Sequence, residues 1–193
     1  RKVSVLVNHS DLYNGDLNFL MSKIKSIGKI NYIEANFGKF SHQYKKKVQL
    51  PSFDWLPHPL SIIIKFFKKI SNIKIISNKI IKIDKSYFQK IHLKFKTIKK
   101  VEGQIFFSNF KKKKRRNLIV YGDKGVINYD GYIKENNFIL TKKRIYSEKQ
   151  YPSPMKNILE KLHKVSSQKK FDLSDLKLSL EVEKSLMKIR KKT

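Results

Sequence analysis

The sequence predicts an α+β domain with a largely antiparallel open sheet and helices packed on one face of that sheet. Near both ends of the chain and after residue 54, apolar residues recur at helical spacing. Between residues 73 and 145 they alternate in short runs separated by turn-forming and charged residues. A length of 193 residues with 40% hydrophobic residues suits one domain, residues 1–193, with a packed core.

The N-terminal elements are predicted as strand, helix and strand. The β-branched segment 3–7 predicts a strand, and alternation over 29–40 predicts a second one. Between them lies a helix that Asn14 or Asp16 can cap and that Gly28 can end. The apolar stripe of this helix consists of Leu17, Leu20, Met21, Ile24 and Ile27.

A loop, a helix and a run of strands are predicted next. Residues 41–52 lack periodicity and are predicted as a loop. A helix should begin between Trp55 and Pro59 and end near Ile70, with Pro57 in or before its first turn, where a missing N–H group costs nothing. The strands, predicted as an antiparallel meander, cover residues 73–83, 88–95, 101–107, 118–121 and 126–129.

The C-terminal part is predicted to add one strand and two helices. Residues 138–145 have strand character. The last helix can be capped by Asp172 or Ser174. The two helical stripes contain Met155, Ile158, Leu159 and Leu162, then Leu173, Leu176, Leu180, Val182, Leu186 and Ile189.

The charge of the chain permits two interpretations. Its 44 Lys and Arg residues outnumber 15 Asp and Glu residues and give a net charge of +29. Because the lysines occur on every predicted element, a solvated surface is favoured over a specific nucleic-acid site. The run KKKKRR at 111–116 lies between two predicted strands and is interpreted as a solvated hairpin loop. A basic domain that binds a phosphate polymer remains the alternative function.

Several classes of site and location are excluded or disfavoured. The chain has no cysteine, hence no disulfide or thiolate site, and its five histidines lack metal-ligand spacing. No Gly-x-Gly occurs, so the chain cannot bind a nicotinamide cofactor through a Rossmann motif of its own. Gly122 and Gly125 are interpreted as a turn that needs positive φ. No apolar run approaches a membrane span, and no signal peptide is recognisable, so we expect a soluble, cytoplasmic protein.

His58 is the candidate catalytic residue. It lies in the segment FDWLPHPL, where flanking prolines stiffen the chain. Asp54 precedes it by four residues, so one helical turn would place the carboxylate and the imidazole on the same side. An acid that orients the ring would make His58 a general acid or base. The other interpretation is a capping Asp beside an incidental His.

Four segments in order resemble the C-terminal domain of the Gfo/Idh/MocA oxidoreductases. They are NHSDLYNGDL at 8–17, SIGKINYIEA at 26–35, DWLPHPLSI at 54–62 and RNLIVYGDKGVINYD at 116–130. The resemblance covers nearly the whole chain. The segment PHPLSI is most similar to the corresponding segment of members that act on sugar nucleotides. Leu12, Gly15, Leu56 and Pro59 depart from the residues that are usual in the family.

The resemblance implies the substrate-binding and oligomerisation half of an NAD(P)-dependent dehydrogenase of sugars, sugar nucleotides or polyols. It implies His58 as acid/base with Asp54 as its partner, and His9, Tyr13 and Asn14 as substrate-binding residues. NAD or NADP would be held mainly by an N-terminal Rossmann domain that this chain lacks, so the isolated chain should be inactive. The implied assembly is a homo-oligomer through the sheet face. A family member that binds a sugar without catalysis is a further alternative.

Overall fold

A computed structural model describes residues 5–39, 50–83, 86–110, 113–146, 151–167 and 173–191. The helices are α1 (Gly15–Ser22), α2 (Pro51–Trp55), α3 (Pro57–Phe67), α4 (Pro154–Ser167) and α5 (Ser174–Arg190). The strands are β1 (Ile30–Gly38), β2 (Ile70–Ile83), β3 (Ser86–Thr97), β4 (Glu102–Ser108), β5 (Arg115–Gly122), β6 (Val126–Asp130), β7 (Phe138–Leu140) and β8 (Arg144–Tyr146). Short 3-10 turns occupy Ser10–Tyr13, Ile24–Ile27 and Lys134–Asn136.

All eight strands form one open sheet in the order β2-β3-β4-β1-β5-β6-β7-β8. Every neighbouring pair is antiparallel except β1 and β4, which are parallel, with Ala35 opposite Ile105. The predicted α+β class and largely antiparallel sheet are therefore confirmed. The prediction of an uninterrupted meander is wrong at one point, because β1 lies between β4 and β5. The run 111–116 is therefore not a hairpin loop between paired strands: Arg115 and Arg116 belong to β5, which does not pair with β4, and residues 111 and 112 lie outside the described part.

Helices cover one face of this sheet, as predicted. The inward side chains of the central strands are fully or almost fully buried, among them Ile33, Ala35, Phe37, Ile105, Leu118, Val120 and Ile127. They form one core with side chains of α1, α2, α3 and α5. On the opposite face Tyr32, Glu34 and Asn36 of β1 remain partly exposed. The alternation read from the sequence thus distinguishes the covered face from the open one.

The first helix begins as predicted, but its α-helical part ends at Ser22, before Ile24, Ile27 and the predicted stop at Gly28. The side chain of Asn14 caps α1 by accepting a hydrogen bond from the Leu17 N–H at 3.1 Å. After Ser22 the chain tightens into a 3-10 turn, which ends at Gly28 with φ of 76°. Strand β1 follows immediately, so the apolar stripe of the helix is placed on the same core as Ile33.

Gly122 and Gly125 are needed for a different reason from the one predicted. Neither is among the residues with positive φ. A side chain at Gly122 would instead collide with the Ile27 carbonyl, and one at Gly125 with the Leu140 carbonyl. Between them, Asp123 accepts a hydrogen bond from the Lys29 N–H at 2.9 Å and ties the turn to β1.

Several local predictions need correction. Val5–Val7 form no strand, because their backbone joins no neighbour in the sheet, and residues 1–4 lie outside the described part. The loop predicted over 41–52 is wrong at residues 51 and 52, which begin α2 with Pro51 in its first turn, and residues 41–49 lie outside the described part. Strand 138–145 is divided into β7 and β8. Leu173 precedes α5 at the cap position, so Ser174 is not the cap, and Asp172 lies outside the described part.

The stripe of α4 is only partly buried. Ile158 is buried, whereas Met155, Leu159 and Leu162 are each about half exposed. Among the described helices, none is long and apolar enough to cross a membrane.

Candidate functional site

The candidate site lies where the start of α3 meets the 3-10 turn Ser10–Tyr13 and the first residues of β5. His58 is the second residue of α3, and its ring nitrogen Nδ1 lies 2.7 Å from Oδ2 of Asp11. The Asp11 side chain is 1% exposed and the His58 side chain 25% exposed. A buried carboxylate therefore holds a ring whose other side remains accessible.

Local backbone structure explains why these two groups are rigid. Pro57 begins α3 with a φ that is preset for a helix, and the Ser61 hydroxyl donates to the His58 carbonyl at 2.8 Å. On the other side, the Asn14 N–H donates to the Asp11 carbonyl at 3.0 Å, which closes the 3-10 turn. Both partners are thus fixed by hydrogen bonds within their own segments.

Asp54 is not the partner of His58. The structure pairs the imidazole with Asp11, 47 residues earlier in the chain, and leaves the Asp54 side chain exposed. The physical reason is the break between two helices, because α2 ends at Trp55 and α3 begins at Pro57. Asp54 and His58 therefore do not share one uninterrupted helical turn. Asp54 also does not cap a helix, since Leu50 precedes α2 at the cap position.

Arg116 is a member of the site that the sequence analysis missed. Its Nη1 lies 3.3 Å from Oδ1 of Asp11, and its guanidinium carbon lies 6.0 Å from the Trp55 ring and 5.6 Å from the Tyr132 ring. The contact with Asp11 is a close ion pair without hydrogen-bond alignment at Oδ1. A signal was available in the alternation of β5, because Arg116 has the same phase as the inward Leu118 and Val120.

Tyr129 completes the buried surroundings of Asp11. Its side chain is fully buried, and its hydroxyl has no hydrogen-bond partner within the described residues. Burial raises the pKa of Tyr129 well above its usual value, and the charge of Asp11 raises it further, while Arg116 opposes that shift. Tyr129 is therefore a neutral neighbour that adds no charge to the site.

A second polar cluster adjoins the first and contains Tyr13. The Tyr13 hydroxyl donates to Asp175 at 2.7 Å, and Lys161 donates to Asp175 at 2.9 Å and to Tyr13 at 3.3 Å. Burial raises the pKa of Tyr13, and the hydrogen bond to Asp175 raises it further. These contacts join α4 and α5 to the 3-10 turn that carries Asp11.

His9 lies between the two clusters. Its Nε2 is 2.9 Å from the Ser179 hydroxyl. Burial lowers the pKa of His9, and the neighbouring His58 lowers it further. His9 and Tyr13 line a cavity of about 70 Å³ with Lys161 and Asp175. Asn14, by contrast, uses its side-chain oxygen as the α1 cap, so of the three predicted substrate-binding residues the structure brings only His9 and Tyr13 to this cavity.

The arrangement supports proton transfer. An imidazole with one nitrogen held by a carboxylate can accept or donate a proton at the other nitrogen. In the part of the chain that the structure describes, no group of three or more His, Cys, Asp or Glu residues could hold a metal ion. Among the described residues, no glycine-rich turn leads from a strand into a helix.

Solved structures share this fold over nearly the whole chain. An oxidoreductase from Magnetospirillum magnetotacticum MS-1 is 19% identical, with a TM-score of 0.74 over 93% of this chain and 61% of that protein. The UDP-N-acetylglucosamine 3-dehydrogenase of Acidithiobacillus ferrooxidans is 11% identical, with a TM-score of 0.75 over 97% of this chain and 60% of that protein. The chain has the fold of the C-terminal domain of Gfo/Idh/MocA oxidoreductases.

Other proteins with the Gfo/Idh/MocA fold act on different molecules. Biliverdin reductase of Synechocystis sp. PCC 6803, in complex with biliverdin and NADP+, is 12% identical, with a TM-score of 0.72 over 90% of this chain and 58% of that protein. No protein-family model and no curated protein matches the sequence. The chain spans about 60% of the length of these solved structures. The fold predicted from four short segments is thus confirmed. The reaction has to be inferred from the residues of the site.

Proposed function

We propose that this chain is the substrate-binding domain of an NAD(P)-dependent oxidoreductase that acts on a sugar, sugar nucleotide or polyol. The observation that carries the proposal is the 2.7 Å contact between His58 and the buried Asp11. Oxidation of a substrate hydroxyl requires a group that removes its proton. Asp11 keeps the proton on Nδ1, which leaves Nε2 of His58 to exchange a proton with that hydroxyl.

The polar cavity lined by His9 and Tyr13, next to the turn that carries Asp11, supports a hydroxyl-rich substrate, although His58 itself is not among its lining residues. His9, Tyr13 and Lys161 bring an imidazole, a phenol and an ammonium group to its wall, together with the carboxylate of Asp175. Such groups hydrogen-bond sugar hydroxyls, and a cation also suits a phosphate. The UDP-N-acetylglucosamine 3-dehydrogenase with the same fold supports the sugar-nucleotide subclass.

In this proposal a Rossmann domain of the same polypeptide holds NAD or NADP. Support comes from the share of the solved structures that this chain does not cover, about 40% of their length. The described residues of this chain contain no glycine-rich strand-to-helix turn, which agrees with a cofactor site in another domain. The protein in which this chain follows such a domain is called the two-domain protein below.

We expect the two-domain protein to reduce NAD+ or NADP+ with a sugar, polyol or UDP-sugar, and the 193-residue chain to bind no NADH or NADPH. The reason is that the phosphate cradle lies in the other domain. Absorbance at the reduced-cofactor band measures turnover, and NADH or NADPH fluorescence measures binding. The chain alone is the matched control for the two-domain protein.

Three results would contradict this proposal. Micromolar binding of NADH by the 193-residue chain would show that the chain carries a cofactor site of its own. Binding of sugars without turnover in the two-domain protein would favour a sugar-binding family member without catalysis. Tight DNA binding that survives physiological salt would favour the phosphate-polymer alternative, since counterion release alone fades steeply with salt.

We also propose that the open sheet face pairs two copies of this chain. Ile119 lies in the middle of that face, opposite Glu34 on β1 and Asn128 on β6. Ile119→Lys should weaken the dimer at least about tenfold, because two charged side chains would replace apolar ones and lose their hydration in the interface. Sedimentation equilibrium measures the dissociation constant.

Ile80→Lys is the matched control for the dimer test, since Ile80 is exposed on the edge strand β2. It should leave the dissociation constant unchanged. A wild-type chain that stays monomeric at millimolar concentration would contradict this assembly.

A further inference from the structure

Of the described residues of the basic run, 113–116, Arg116 is the one that the structure turns towards the core. Arg115 lies opposite Gly38 and is exposed, whereas Arg116 lies opposite the buried Phe37. The Arg116 side chain is 21% exposed. A single step along β5 therefore separates a solvated arginine from one that reaches the site.

The surroundings of Arg116 are shaped to hold its side chain. A side chain at Gly131 would meet Cδ of Arg116 at 2.7 Å, so glycine leaves the space that this stem occupies. The Gly131 N–H donates to the Arg116 carbonyl at 2.8 Å and fixes the backbone. The aromatic rings of Trp55 and Tyr132 both lie within 6.0 Å of the guanidinium carbon, a distance typical of cation–π contacts.

Asp11 joins Arg116 to His58. One carboxylate oxygen, Oδ1, faces the guanidinium at 3.3 Å, and the other, Oδ2, faces the imidazole at 2.7 Å. A carboxylate that is 1% exposed stays charged only when a cation compensates for its lost hydration. Arg116 supplies a permanent cation, because a guanidinium does not lose its proton in proteins.

The other charged or titratable groups around His58 do not replace Arg116. His9 faces it from the preceding turn, and Asp175 lies beyond His9. The Tyr129 hydroxyl on β6 is close to Asp11 but remains protonated, and Trp55 presents only its ring. Among these groups, Arg116 is the fixed positive charge that contacts Asp11.

We propose that Arg116 is a positioning residue that acts on His58 through Asp11. It holds the Asp11 carboxylate in place, and its charge offsets the effect of that carboxylate on the imidazole. His58 is then held in place to exchange a proton at its other ring nitrogen. The catalytic meaning of this coupling rests on the proposed function, but the coupling itself is a property of this chain.

The single tryptophan provides a measurement that needs no substrate. Trp55 is the only tryptophan of the chain, and its ring centroid lies 5.8 Å from that of His58. A protonated imidazole quenches indole fluorescence at such a distance, so fluorescence against pH reports the protonation of His58. In His58→Gln the transition should disappear, which assigns the signal.

Removing the charge of Arg116 should move the midpoint of this transition. In Arg116→Met the Asp11 carboxylate is uncompensated, so the midpoint should rise by about 1 pH unit. In Arg116→Lys a cation remains, and a shift of less than about half that size is expected. Asp11→Asn should move the midpoint the other way, down by about 1 unit, since Arg116 then faces the ring without a carboxylate between them.

Arg115→Met is the matched control, because it removes the same charge from the adjacent exposed position. Its midpoint should equal that of the wild type. An unchanged midpoint in folded Arg116→Met, or an equal rise in Arg115→Met, would overturn the proposal. If Arg116→Met does not fold, an unchanged or raised midpoint in Asp11→Asn overturns it instead.

The same variants separate this inference from the proposed function. If the midpoints move as expected but His58→Gln leaves turnover of the two-domain protein intact, the coupling stands and the proposed function fails. If His58→Gln abolishes turnover but the midpoint of Arg116→Met is unchanged, the function stands and the role of Arg116 fails. In the two-domain protein, the acidic limb of the kcat profile should shift with the fluorescence midpoint.

Discussion

In the two-domain protein, His58→Gln should lower kcat by about two to four orders of magnitude, the usual contribution of a positioned proton-transfer group. Glutamine retains a polar group near Asp11 but cannot exchange a proton at neutral pH. The change should appear mainly in kcat, because the cavity residues His9 and Tyr13 that would contact the substrate are untouched. Steady-state kinetics at several pH values measure both constants.

His92→Gln is the matched control for that experiment. His92 lies on the open face of β3, where its ring stacks on Phe106 with centroids 4.1 Å apart, and its Nε2 is 3.2 Å from Gln104. It contacts none of the residues around Asp11. Its replacement should leave kcat within about a factor of two of wild type, since it removes no group from the site. Unchanged turnover in His58→Gln would show that the imidazole is incidental.

Local patterns predicted the elements that the site depends on. The cap at Asn14, the stripe of α1 and the alternation of β1 all depend on residues within a few positions of one another. The cap, the stripe and the alternation follow from backbone geometry that each segment imposes on itself. His58 was selected from Asp54 four residues before it and from its flanking prolines, and the structure places it at the site with a different acid.

Long-range pairing could not be read in this way. Asp11 and His58 are 47 residues apart, and Asp54 offered a nearer carboxylate at helical spacing. Only the packing of α3 on the 3-10 turn determines which of the two acids, Asp11 or Asp54, contacts His58. The insertion of β1 between β4 and β5 is likewise a property of the whole sheet.

The sequence analysis did not identify Arg116 as a site residue because it lies in a run of basic residues. Within a run of six basic residues, each one resembles a solvated lysine or arginine. The phase of β5 distinguishes Arg116 from Arg115, but only once the inward positions Leu118 and Val120 are extended backwards into the run. A cation in phase with buried residues is therefore worth testing as a partner of a buried acid.

Asp11→Ala should lower the free energy of unfolding of the 193-residue chain by about 3 kcal/mol. The side chain that it removes is 1% exposed and contacts both His58 and Arg116, so its loss leaves a largely buried guanidinium without a counter-charge. For a chain of this size, the same loss corresponds to a fall of about 6 to 12 °C in Tm. Urea unfolding with an unchanged m-value measures it.

Asp54→Ala provides the matched comparison, because the two acids are the rival partners of His58 and only their surroundings differ. Asp54 is exposed at the end of α2, so its removal should change the free energy of unfolding by less than about 0.5 kcal/mol. The loss in Asp11→Ala should also depend little on salt, since a buried ion pair is poorly screened. Equal losses in the two variants would mean that Asp11 is not the buried anion around which His58 and Arg116 are arranged.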